Sequence, residues 1–152
     1  MNTSQLADDL LRAAGGLSRF ASSQAEIGAP AGLLRLLAIV EERGPIRVGD
    51  LALADHVSQP AVTRQVGRLE AFGWVHRSSD PDDARASLVT LAPAGQQALE
   101  RARRVRGEVL AQVLADLDIG EDRVRDAVQL LTQLLDAARR VTPTATPVAE
   151  KV

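Results

Sequence analysis

The chain has 152 residues, of which 45% are hydrophobic and 25% charged, an ordinary globular composition with enough sequence for about one domain and its core. It has no cysteine, and Met1 is its only methionine, so disulfides and thiolate metal sites are excluded. The formal net charge of −2 lacks the basic excess of most nucleic-acid-binding proteins, so the local distribution of charge matters more than its sum.

The N-terminal sequence contains two aspartates where a signal peptide would carry positive charge. No apolar run is as long as the roughly eighteen residues that a membrane span needs. We therefore expect a soluble, cytoplasmic protein with no membrane partner.

Two helices are predicted in the first third of the chain. Residues 5–25 carry apolar side chains at helical spacing, although Gly15 and Gly16 form a weak point. A second helix begins near Pro30 and ends at Gly44. Each of these helices has an apolar side that must be covered.

A third, shorter helix is predicted over residues 47–57, and a fourth runs from Ser58, a favourable N-cap residue, to near Gly73. The buried stripe of the fourth helix consists of Val62, Val66 and Leu69. Its opposite face carries Gln59, Thr63, Arg64 and Arg68. No acidic residue occurs from Ser58 through Leu69, so this acidic protein contains a local basic face.

Two short strands, at residues 74–79 and 86–91, are predicted to form a hairpin. Its tip reads DPDDARA and contains a single cation, Arg85. Asp80 and Asp82 are typical turn residues beside a proline, and we expect Asp83 to hold the Arg85 side chain by a charge-assisted hydrogen bond. Two helices joined by a tight connection and followed by a hairpin indicate a winged helix-turn-helix. An arginine on such a wing suits the narrow minor groove of DNA.

A long helix is predicted to begin at Pro93, and a final amphipathic helix spans about residues 121–140. The cationic run Arg101, Arg103, Arg104 and Arg106 lies on the long helix. We interpret it as a solvated face, with a ligand-facing or DNA-flanking role as the alternative. Residues 142–152 lack large apolar side chains and are predicted to be disordered.

Residues 50–95, DLALADHVSQPAVTRQVGRLEAFGWVHRSSDPDDARASLVTLAPAG, resemble the MarR family of bacterial transcription regulators. The resemblance implies a mainly α fold with a small β-hairpin wing. It implies one domain over residues 1–141, with its winged-helix part at about 30–92 and dimerisation helices at about 5–28 and 93–141. The implied assembly is an obligate homodimer that reads a palindromic operator in double-stranded DNA.

The chain departs from the family pattern at three points. Ala84 replaces a second wing arginine, Ala92 replaces a threonine before the long helix, and Asp55-His56 replaces a Leu-Gly pair before the fourth helix. We expect DNA contacts from Ser58, Gln59, Ala61, Thr63, Arg64, Arg68, Arg77, Asp83 and Arg85. We expect the dimer to be formed by Leu6, Leu10, Val113, Leu131, Leu134 and Leu135.

No catalytic residues, cofactor or metal site are expected. Two histidines without cysteine are too few for a metal site, and no glycine-rich phosphate loop occurs. The leading hypothesis is a dimeric DNA-binding repressor released by a small aromatic or anionic ligand. With no tyrosine, one tryptophan and two phenylalanines, its pocket would be aliphatic with arginine at the edge. The alternative is a winged-helix protein-interaction module without DNA binding. Salt distinguishes the two, because DNA binding weakens as salt rises whereas binding through an apolar protein interface changes little.

Overall fold

The computed structural model of the chain describes residues 2–25, 28–83 and 85–140. The predicted disordered tail at 142–152 and the wing residue Ala84 therefore lie outside the described residues. Within the described ranges the chain forms six helices and a three-stranded antiparallel sheet. The elements in chain order are α1 (Thr3–Gln24), α2 (Ala31–Arg43), β1 (Ile46–Arg47), α3 (Val48–Ala54), α4 (Gln59–Ala71), β2 (Val75–Ser79), β3 (Ser87–Leu91), α5 (Pro93–Asp116) and α6 (Glu121–Arg140).

The chain divides into two compact units, one ending at Gln112 and the other beginning at Val113. The first unit contains the hydrophobic core, to which α2, α3, α4, the sheet and the first half of α5 contribute. Fully buried core side chains include Leu33, Leu36, Leu37, Val40, Leu51, Val62, Val66, Leu69, Val75 and Val89. The predicted inward stripe of α4 is therefore confirmed.

The described residues of the second unit are the last turn of α5, the connection after it and the whole of α6. The bounds of α6, Glu121–Arg140, agree with those predicted. Its sequence is strongly amphipathic, but none of its residues is buried. Its apolar side is consequently exposed, and several leucines on it lie open to solvent.

The sheet has the strand order β1-β3-β2, so β3 lies in the middle. In the hairpin, Val75 is opposite Leu91 and Ser79 is opposite Ser87. The predicted hairpin is confirmed, whereas β1 was not predicted. It comprises only two residues, and a strand that short shows no alternation of polar and apolar side chains.

Helix α1 runs without interruption through Gly15 and Gly16, although the sequence marked them as a weak point. It begins with a capping box, in which the Asn2 side chain accepts from the Gln5 amide and the Gln5 side chain accepts from the Asn2 amide. Among the helices that the structure describes, none is long and apolar enough to cross a membrane.

Gly95 allows α5 to approach the beginning of β2 closely. A Cβ atom at this position would lie 2.2 Å from the carbonyl oxygen of Trp74. That same oxygen accepts a hydrogen bond of 2.9 Å from the amide of Ala92. The contact therefore joins α5 directly to the hairpin, and a larger side chain would separate the two elements.

We predict that Gly95→Ala destabilises the fold by about 1–3 kcal/mol, because the added methyl group overlaps a fixed backbone atom. Gly107→Ala is the matched control, since it lies on the same helix with no atom within 4 Å of the added methyl group. The control should gain up to about 1 kcal/mol from helix propensity. Urea unfolding measures both, and equal effects of the two substitutions would contradict the packing described.

Candidate nucleic-acid interface

Helix α4 begins after Ser58, the predicted N-cap residue. The predicted hydroxyl cap is nevertheless wrong, because the Ser58 side chain makes no capping hydrogen bond. Its backbone carbonyl accepts instead from the amides of Ala61 and Val62, at 3.0 and 3.1 Å. The Ser58 side chain is exposed, so its hydroxyl is accessible at the N-terminus of α4.

The polar face of α4 is exposed along its length. Gln59, Thr63, Arg64 and Arg68 are all exposed, and Ala61 is half-buried between them. The Thr63 hydroxyl donates to the Gln59 carbonyl at 2.9 Å, which leaves the hydroxyl oxygen available as an acceptor. Arg64 and Arg68 lie about one helical turn apart, so their side chains project from the same face of α4 at different positions along its axis.

A cleft of about 340 Å³ separates α4 from the hairpin and the beginning of α3. We call it the wing cleft. Five predicted DNA-contact residues line it, namely Gln59, Thr63, Arg77, Asp83 and Arg85. The other four are outside this lining: Ser58 is the N-cap residue of α4, and Ala61, Arg64 and Arg68 lie on the helix. Helix and wing thus present one continuous polar surface.

The wing tip is folded by its aspartates. The Asp80 carboxylate accepts from the amide of Asp82 at 2.9 Å, and the Asp83 carboxylate accepts from the amide of Arg85 at 3.0 Å. Asp83 therefore binds the Arg85 backbone and not the guanidinium, which corrects the predicted contact. The reason is geometric, because a short carboxylate readily reaches the backbone amide two residues further on. The side chain of Arg85 remains exposed.

Asp80 also anchors the wing to the beginning of α3, which the sequence did not predict. Its carboxylate is 3% exposed and lies 2.5 Å from Nε of Arg47, the residue preceding α3. The hydrogen bond from the Asp82 amide, together with the Arg47 guanidinium, lowers the pKa of Asp80 below its usual value. The one indication of this contact in the sequence is Arg47, because it occupies the N-cap position of α3, where serine or threonine is usual.

Arg77, a predicted DNA contact on β2, is partly neutralised. Its Nε atom lies 3.2 Å from a carboxylate oxygen of Glu70 near the end of α4. This ion pair connects the wing to α4, so Arg77 reaches the wing cleft with less net charge than Arg85.

The turn between α3 and α4 is held by a second buried carboxylate. Asp55, the C-cap residue of α3, has a side chain that is 1% exposed, and it receives two hydrogen bonds from Arg35 of α2. The hydrogen bond with Asp55 raises the pKa of Arg35. His56 then has a φ of 53°, a left-handed conformation that favours glycine. Position 56 therefore keeps the left-handed backbone conformation typical of glycine, although the residue there is histidine.

Comparison with known proteins identifies the fold and the family. A profile of the MarR family matches residues 31–87, which include α4 and most of the wing. An uncharacterized HTH-type transcriptional regulator of Mycobacterium bovis is 36% identical over 104 residues, covering 68% of this chain and 73% of that protein. The chain is a member of the MarR family. The multiple antibiotic resistance protein MarR of Salmonella typhimurium is 31% identical over 101 residues, covering 66% and 69% of the two chains.

Solved structures of MarR-family and related regulators have the same fold. A transcriptional regulator of Thermotoga maritima aligns with a TM-score of 0.67 at 25% identity, covering 90% of this chain and 96% of that one. Wild-type MarR of E. coli in its apo form aligns with a TM-score of 0.64 at 25% identity, covering 89% and 98%. The predicted family and fold class are confirmed, and this MarR-family member is a DNA-binding winged-helix transcriptional regulator. The family consists of regulators and not, in general, of enzymes.

We predict that Asp80→Asn lowers stability at neutral pH and flattens its dependence on pH. Because the pKa of Asp80 is lowered by folding, its stabilisation is fully present above the unfolded value of about 3.9 and is lost as pH falls through the folded value. Thermal unfolding between neutral and strongly acidic pH measures this difference.

Asp82→Asn is the matched control, since Asp82 is an exposed carboxylate in the same turn. The difference between wild type and Asp80→Asn should shrink in acid, whereas Asp82→Asn should follow the wild type throughout. Parallel curves for wild type and Asp80→Asn would contradict the anchoring role of the Arg47–Asp80 pair.

Proposed function

We propose that this MarR-family regulator is a homodimeric repressor that binds a palindromic operator and is released by a small anionic molecule. The observation that carries the DNA-binding geometry is the wing cleft, where α4 and the wing present polar groups to one space. A recognition helix fits the major groove, and an arginine at the tip of a hairpin beside it reaches the adjoining minor groove. Two such units related by a twofold axis read the two halves of a palindrome.

On α4, Arg64 is proposed to contact a guanine edge and Arg68 a phosphate. Arg64 lies closer to the N-terminus of the helix, the end that reaches base edges in helix-turn-helix proteins. A bidentate arginine–guanine contact contributes about 1–3 kcal/mol of base discrimination. Phosphate contacts, in contrast, strengthen binding to every sequence alike. Ser58, Gln59, Ala61 and Thr63 complete the proposed contact surface of the helix.

On the wing, Arg85 is proposed to enter the minor groove. Its guanidinium is exposed, and its backbone is fixed by Asp83. A narrow A·T-rich minor groove has the most negative potential and attracts an inserted arginine. Arg77, paired with Glu70, is proposed to support the wing and to contact the backbone of the DNA.

We predict that Arg85→Ala weakens binding to an operator selected from random duplexes and lowers the salt slope by about two units per dimer, because each protomer loses one cation and displaces about one fewer counterion. Arg101→Ala, which removes an exposed arginine of α5 outside the wing cleft, is the matched control and should keep the wild-type slope. Fluorescence anisotropy over a series of salt concentrations measures both. Arg85→Ala with the wild-type affinity and slope would exclude insertion of the wing.

Dimerisation is proposed from the exposed apolar residues of α1 and α6. On α1, Leu6 is 49% exposed and Leu10 is half-buried. On α6, Leu131, Leu134 and Leu135 are 38%, 45% and 59% exposed. Val113, at the beginning of the second unit, is half-buried. Leucines aligned on one side of a helix are unfavourable in water, and a second copy of the chain would cover them.

We predict that the double substitution Leu131→Asp and Leu134→Asp yields a monomer or an unfolded chain. The double substitution Gln129→Asp and Gln133→Asp adds the same charge on the opposite side of α6 and should leave a dimer. Size-exclusion chromatography with light scattering distinguishes these outcomes. A stable dimer carrying both leucine substitutions would contradict the proposed interface.

The ligand is proposed to bind in a cleft of about 330 Å³ between α1, α2 and α5. We call it the arginine cleft, because Arg35, Arg103 and Arg106 line it together with Leu34, Leu99 and small residues. The Nε atom of Arg106 is shielded from solvent and has no hydrogen-bond partner. No aromatic residue is part of the lining. This combination favours a small molecule with a carboxylate and an aliphatic body.

The arginine run of α5 is thereby divided between two roles. Arg103 pairs with Glu41, and the hydrogen bond lowers the pKa of that carboxyl. Arg103 and Arg106 face the arginine cleft, whereas Arg104 pairs with Glu108 on the exposed face. The ligand-facing alternative for this run is supported for two of its four members.

A further inference from the structure

Arg35 belongs to two sites at once. It lines the arginine cleft, and it forms the bidentate contact with Asp55 at the turn before the recognition helix α4. The two distances are 2.5 Å from Nε and 3.0 Å from Nη2 to the carboxylate oxygens. One side chain therefore connects the proposed ligand site to the element that reads DNA.

The Asp55 carboxylate, which accepts both hydrogen bonds from Arg35, lies close to the beginning of α4. Asp55 lies four positions before the first residue of α4 and next to His56, whose left-handed backbone is restricted for a residue with a side chain. The turn is otherwise held by backbone bonds, including Val57 to Ala52 at 3.2 Å. Only two residues, His56 and Val57, separate Asp55 from Ser58, the N-cap residue of α4.

We propose that Arg35 positions the recognition helix through Asp55, and that an anion bound in the arginine cleft weakens DNA binding by drawing Arg35 away from Asp55. The inference rests on the proposed ligand release and names the contact through which it acts. Arg35 is a positioning residue in this account, because it is not itself expected to contact DNA.

The asymmetry of burial makes this exchange possible. The Arg35 side chain is 59% exposed, so an anion can reach it, whereas the Asp55 side chain is 1% exposed. Arginine has donors beyond the two that Asp55 uses, and a carboxylate ligand offers the same bidentate geometry as Asp55. Loss of the arginine leaves a buried charge without its partner, a strongly unfavourable state. The turn must then move so that the Asp55 carboxylate reaches water.

The neighbouring arginines do not provide the same connection. Arg103 is paired with Glu41, whose side chain is 24% exposed, so that carboxylate is hydrated if the pair opens. Arg106 has no carboxylate partner among the described residues and lies on α5. They can hold an anion in the cleft, but neither contacts the turn before α4.

The test uses octanoate as the anion and 1-octanol as its uncharged control, at constant ionic strength. In the wild type, octanoate should accelerate amide hydrogen exchange at Asp55, His56 and Val57 and lower operator affinity by at least about fivefold, the lower end of usual allosteric coupling. By linkage, operator DNA should lower octanoate affinity by the same factor. Octanol should do neither.

Asp55→Leu separates positioning from ligand binding, because it removes the buried charge and restores the residue type usual in the family. This variant should still bind octanoate, seen as a thermal shift, but its operator affinity should no longer respond to it. Asp55→Asn, which keeps the side-chain volume, serves the same purpose if the leucine variant does not fold.

The outcomes distinguish the two levels of the account. If octanoate weakens operator binding by the wild type without changing exchange at the turn, or if both Asp55 variants respond to it as the wild type does, the role of Arg35 is overturned and ligand release stands. If octanoate binds but leaves operator affinity unchanged, release by this anion and the role of Arg35 are both overturned. If octanoate does not bind at all, the proposed anion site in the arginine cleft and the role of Arg35 are both overturned.

Discussion

A carboxylate that is buried in a protein requires a partner, and the DNA-binding surface of this regulator depends on that constraint at two points. Asp55 and Asp80 are the buried charged residues among those that the structure describes. Each pairs with an arginine from another element, Asp55 with Arg35 and Asp80 with Arg47. One pair fixes the turn that leads into the recognition helix, and the other fixes the wing against the beginning of α3.

The net charge of this acidic chain does not show where its unpaired cations lie. Several arginines that count toward the total charge are paired with carboxylates of the same chain, including Arg35, Arg47, Arg77 and Arg103. Within the described residues, Arg64, Arg68 and Arg85 are exposed and form no ion pair. The net charge of −2 therefore does not describe the face of α4 and the wing tip, where these three unpaired arginines lie.

The sequence predicted what depends on local periodicity. The six helices, the hairpin, the α6 bounds and the buried stripe of α4 all follow from spacing and turn residues. The residues missed are those whose partners are distant in sequence. Arg35 and Asp55 are 20 positions apart, Arg47 and Asp80 are 33, and neither pair leaves a local pattern.

Competition between bonds accounts for the other differences. The Asp83 carboxylate accepts from the Arg85 backbone amide, which a short side chain two residues earlier readily reaches, and not from the Arg85 guanidinium. The requirement for glycine at position 95 has a different cause. It comes from the nearby Trp74 carbonyl oxygen, and the periodicity of α5 gives no information on that contact. The proposed DNA contacts and the dimer leucines could be named from the sequence, because helical periodicity shows which side chains share a face of α4 or α6.

The central claim is that the face of α4 and the wing bind DNA through phosphates and bases. The most direct test is the affinity of the wild-type protein for a selected operator duplex, measured over a series of salt concentrations. The account predicts that log K falls linearly with log salt, with about −0.9 for each phosphate neutralised, and that the slope corresponds to several phosphates per dimer. An affinity that does not change with salt would contradict it and would indicate that this surface binds an apolar partner.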